Sequence, residues 1–89
     1  AADLLWLARM RGNLADCLLK NDEAEKALEV IEKSIADSSQ LPTEGKDRDA
    51  VLDTLVVQHR YWAEILESLG RTDEAAAVKE LIYEFRQRP

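Results

Sequence analysis

Apolar residues return every three or four positions along four stretches of this chain, and polar clusters separate the stretches. Leu4, Leu7, Ala8, Met10, Leu14, Ala15 and Leu18 form one such stripe and predict a helix from Asp3 to Lys20. Gly12 lies inside it, weakening a helix by about 1 kcal/mol relative to alanine. Close approach of a neighbouring helix is the expected compensation. Asn21 and Asp22 break the pattern, and Asp22 with Glu25 three residues on reads as a capping box for a second helix. That helix carries Ala24, Ala27, Leu28, Ile31 and Ile35, with Val30 at the edge of the face. Serines, Pro42, Thr43 and Gly45 then mark an aperiodic loop over 37–46.

The third helix is the longest, from Asp47 or Asp49 to Leu69, with Leu52, Leu55, Val56, His59, Trp62, Ala63, Leu66 and Leu69 on its stripe. Gly70 supplies the left-handed residue that ends a helix at little cost, and Thr72 is the natural N-cap of the next. The fourth helix carries Ala75, Val78, Leu81, Ile82 and Phe85. It closes at Arg86 and Arg88, whose charges complement its dipole. The expected fold is all-α: a single domain over 1–89 of two antiparallel helix hairpins, 3–36 and 47–88, joined by the loop.

The two hairpins repeat one another. Ala15, Leu18 and Ala27 in the first correspond to Ala63, Leu66 and Ala75 in the second, each pair 48 residues apart. Asp22 stands where the second copy has Gly70. The run Leu66-Glu67-Ser68-Leu69-Gly70-Arg71-Thr72-Asp73-Glu74-Ala75-Ala76 resembles the inter-helix turn of a tetratricopeptide repeat. The family's closing proline is approximated by Pro42 and Pro89. The spacing departs from the family's period of about 34 residues, the excess lying in the loop and the start of the third helix. Two arrangements are therefore open, a tetratricopeptide-like right-handed array and a compact four-helix packing.

Composition narrows the function. With 89 residues, 46% apolar and 34% charged, the chain supports one modest core. No apolar run is long enough for a membrane span, and Ala1-Ala2-Asp3-Leu4-Leu5-Trp6 lacks the basic start of a secretory signal. The missing initiator methionine makes a piece of a longer protein the expectation. A net charge of −6 disfavours nucleic acid and anionic membranes, and no basic recognition helix is present. A single cysteine fits a reducing, cytoplasmic setting. Cys17 itself, beside Leu14 and Leu18, reads as a small buried hydrophobe.

Chemistry is not encoded in any recognisable pattern. The three glycines are scattered, so there is no phosphate loop. Cys17 and His59 alone cannot build a zinc site. His59, on the apolar stripe between Val56 and Trp62, reads as a packed, hydrogen-bonded histidine. Glu25, Glu29 and Glu32 share a helix face, which reads as solvated. No catalytic residue, metal or cofactor is expected, and the chain reads as a non-enzyme.

A protein-interaction module remains, with a protein or peptide as partner. The family resemblance implies that the first helix of each hairpin lines the binding face. It thereby points to Arg9, Gly12, Asn13, Asp16 and Leu19 on the first helix, and to Val57, Arg60, Tyr61, Glu64 and Ser68 on the third. The lysine–asparagine clamp of chaperone-binding relatives has no full counterpart here. The alternative is an oligomerisation or regulatory scaffold domain attached to a signalling enzyme, with a homodimer as the assembly it would form. Leu4, Leu5 and Trp6 would then self-associate, because Leu4-Leu5-Trp6-Leu7 is a run of four large apolar residues that cannot share one helix face.

Overall fold

The computed structural model describes residues 2–41 and 44–87, and Ala1, Pro42, Thr43, Arg88 and Pro89 lie outside the described residues. Four helices make up the fold: α1 (Ala2–Lys20), α2 (Ala24–Ser38), α3 (Arg48–Ser68) and α4 (Thr72–Gln87). Among the described residues there is no strand. Helix α2 runs to Ser38, two residues into the expected loop.

The repeated segments fold alike to the level of single hydrogen bonds. The amide of Glu23 donates to the Leu18 carbonyl at 2.9 Å, and that of Arg71 to the Leu66 carbonyl at 2.8 Å. One residue earlier, Asp22 donates to Leu19 (3.2 Å) and Gly70 to Glu67 (3.0 Å). These are two Schellman endings, each turning on a left-handed residue, Asp22 at φ 62° and Gly70 at φ 78°. Two sequence expectations change as a result. Asp22 terminates α1 and does not cap α2, whose N-cap is Glu23 with no side-chain cap bond. Thr72 is likewise already helical, and the Arg71 carbonyl accepts the first bond of α4, from Ala75.

Four alanines seal the hairpins. Ala15 and Ala27 are fully buried in the first, Ala63 and Ala75 nearly so in the second. Helix α3 packs on α1, α2 and α4, whereas no Cα of α4 approaches within 8 Å of one in α1 or α2. The helices therefore lie as an open row of hairpins and do not close into a ring. The Cα envelope is a slab of 38 × 26 × 16 Å.

This central position explains why α3 buries more than its stripe. Val51, Thr54, Gln58 and Ile65 are buried alongside Leu52, Leu55, His59, Ala63 and Leu66. Ile65 joins Ile31 and Ile35 of α2 in the main cluster, while Leu66 packs with Val78 of α4. A third cluster forms at the opposite end from Leu41, Val51 and Leu55, with Leu5 and Phe85 against it. Leu41 comes from the interhelical loop, so that segment is partly structural.

Helix α1 departs most from its predicted face. Ala8, Gly12 and Ala15 are buried, with Leu5, Leu18 and Leu19 half-buried. Leu4, Leu7, Met10 and Leu14 are exposed, and so is Cys17, which is not the buried hydrophobe expected. The helix carries two apolar arcs, and the one rich in small residues wins because it admits closer backbone contact. At Gly12 an added Cβ would meet the Tyr61 ring of α3 at 3.3 Å. The close approach anticipated for this glycine is therefore present.

Candidate functional site

A concave groove of about 340 Å³ runs between α1 and α3. Small residues create it. Ala8 and Gly12 leave room on α1, and the faces of α3 at positions 53/57/61 and 54/58 supply the opposite wall. Of the residues expected on the binding face, Arg9, Gly12, Asn13, Val57 and Tyr61 line this groove together. Asp53, Thr54 and Gln58 also line it and were not singled out from sequence. Their signal was present, since Asp53–Val57–Tyr61 and Thr54–Gln58 recur at intervals of four.

The other expected residues fall elsewhere. Arg60 and Glu64 turn toward a shallow depression between α3 and α4, with Glu67 and Lys79. Asp16 is tied to Lys20 by an ion pair of 2.9 Å, and this bond raises the Lys20 pKa. Leu19 is half-buried against the main core, and Ser68 is exposed at the end of α3. Leu5 turns inward, which separates it from the exposed Leu4 and Trp6.

Gln58 fixes the groove's depth. Its Nε2 donates to Ser34 Oγ of α2 at 2.8 Å and to the Ala8 carbonyl of α1 at 3.3 Å. One side chain thus joins three helices. A carbonyl can only accept, so this pairing dictates which end of the amide is nitrogen. The oxygen, Oε1, is buried without a hydrogen-bond partner. Arg9 and Asp53 provide opposite charges on the two sides of the groove, and neither is in an ion pair among the described residues.

His59 lies behind this wall. Its Nδ1 is 2.6 Å from the Leu55 carbonyl, so it must donate there as the Nδ1–H tautomer. The ring packs edge-on to Trp62 and Phe85, with centroids 5.7 and 5.1 Å away. Burial lowers its pKa, partly opposed by the backbone bond. The imidazole is a core element, only 4% exposed. Among the described residues, no three His, Cys, Asp or Glu side chains converge in a way that could hold a metal ion. Nor is any helix long and apolar enough to cross a membrane.

No family model, curated protein or solved structure matches this chain.

Proposed function

We propose that this chain is a non-catalytic protein-interaction module of tetratricopeptide-like hairpins that holds a peptide segment in the α1–α3 groove. One observation carries the reading. Residues 44 or more apart in sequence, Arg9 and Asn13 on α1 with Val57 and Tyr61 on α3, line a single concavity. The paired Schellman turns and the open row of helices support the family resemblance.

The groove's chemistry describes its occupant. Ala8 and Val57 offer an apolar floor, which accommodates one or two hydrophobic side chains at this volume. Arg9 can grip a carboxylate or a backbone carbonyl, and Asn13 can both donate and accept along an extended strand. Asp53 and the overall charge of −6 favour a basic residue next to the hydrophobic anchor. Tyr61 adds contact area with little rotamer entropy to lose.

The test uses a displayed library of random linear peptides, selected on the 89-residue chain. Enriched peptides should carry a hydrophobic residue beside a basic one. Val57 is 44% exposed, so Val57→Arg should fill the groove without disturbing the core. It should weaken the enriched peptides at least about tenfold, a loss of about 1.4 kcal/mol. Tyr83→Ala, on the far face of α4, should leave binding unchanged. Failure to enrich any peptide, or equal binding to Val57→Arg, would overturn the reading.

A further inference from the structure

Helix α1 presents a second, unused face. Leu7 and Leu14 are seven residues apart, Met10 and Cys17 likewise, and the two series interleave at steps of three and four. That is the 3.5-residue seam of a helix built to pack along another helix. All four are exposed, Leu7 at 37%, Met10 at 49% and Leu14 at 51%, with Cys17 also open. Leu4 and Trp6 widen the seam at one end. None of the chain's other helices covers it.

We propose that the seam is covered by a second copy of this chain, α1 against α1 in antiparallel orientation about a two-fold axis beside residue 12. Three arguments select this occupant. The first is register. Around that axis Leu7 faces Cys17 of the second copy and Met10 faces its Leu14, so each layer sets a longer side chain against a compatible partner.

The second argument is charge. Arg11 flanks the seam and is held by Asp37 of α2 at 2.7 Å. Each guanidinium beside the axis is therefore already compensated by a carboxylate of its own chain. Opposed helix directions also set each dipole against its opposite. The third is area. The exposed side chains together present on the order of 500 Å², at the upper end of what a monomer leaves open. Two-fold pairing doubles this to roughly 1,000 Å², the threshold for a specific interface. The α1–α3 groove lies off the seam, so this inference is independent of the peptide reading.

Sedimentation equilibrium of the 89-residue chain at about 0.1 mM should show a dimer, since an interface of this size needs no tighter affinity than micromolar. Leu14→Glu should weaken self-association at least about tenfold, and so should Met10→Glu, with helical content unchanged and melting unchanged at concentrations dilute enough for the parent to be monomeric. Orientation is read by oxidation. Leu7→Cys should form an intermolecular disulfide between position 7 and Cys17, identified by peptide mapping, while the parent chain cross-links poorly. A monomer at that concentration would overturn the proposal. So would a dimer indifferent to both glutamates, or a parent chain that cross-links through Cys17 as readily as Leu7→Cys does, the sign of a parallel pair.

Discussion

Asp22 holds φ at 62°, a conformation that costs an L-residue about 1 kcal/mol or more and costs glycine almost nothing. Its counterpart Gly70 makes the same turn free of that strain. Asp22→Gly should therefore stabilise the chain, by up to about 1 kcal/mol in urea unfolding, whereas Gly70→Ala should cost about the same. His59 gives a second prediction at this scale. Its folded pKa lies below the unfolded value, so the unfolded state binds the extra proton first. The stabilising contribution is complete above pH 6.5 and is lost as pH falls below it, with a slope no steeper than about 1.4 kcal/mol per pH unit. His59→Phe should flatten that slope in urea melts followed from about pH 7 to pH 5.5. Gln58 supplies the third. Gln58→Met removes two bonds and strands the Ser34 hydroxyl, at a cost of about 1–2 kcal/mol. Ser34→Ala in the same background should recover part of it, because both partners are then apolar.

At the scale of elements, the periodic pattern locates all four helices but not always the face that each one buries. The fault lies with α1 and α3, for different reasons. Periodicity sums hydrophobicity, so on α1 it puts Leu7, Met10 and Leu14 on one stripe with Ala8 and Ala15. Packing rewards the small residues instead, because they let α3 come near. On α3 a single stripe was expected where contact with three neighbours buries a wide arc, including the polar Thr54 and Gln58. Neighbour number is a property of the assembled fold and leaves no mark on one helix's own period. The groove was half legible for a related reason. Five of its residues followed from the family register, whereas Arg60 and Glu64 rotate to the α4 side. The loop holds a further surprise in Leu41, only 7% exposed in a segment that reads as solvent-facing. Leu41→Ala should cost about 2–3 kcal/mol, while Gln40→Ala beside it should be nearly silent in the same denaturation assay.

For the whole molecule, the order of contacts matters more than their sum. Helix α3 is the hub, and α4 is attached along one side only. Its fully buried side chains are Ala75 and Val78, both in the first two turns, with Ile82 and Phe85 half-buried beyond them. A chain held together in this way need not open all at once. Amide hydrogens in the second half of α4 should exchange with solvent well before those of α2 and α3, which a deuterium-exchange time course followed by mass spectrometry would resolve. Uniform protection across all four helices would show instead that the row melts as one unit. If the gradient exists, the carboxyl-terminal helix acts as a hinged leaf. One edge of the slab can then loosen while its three-helix heart stays shut.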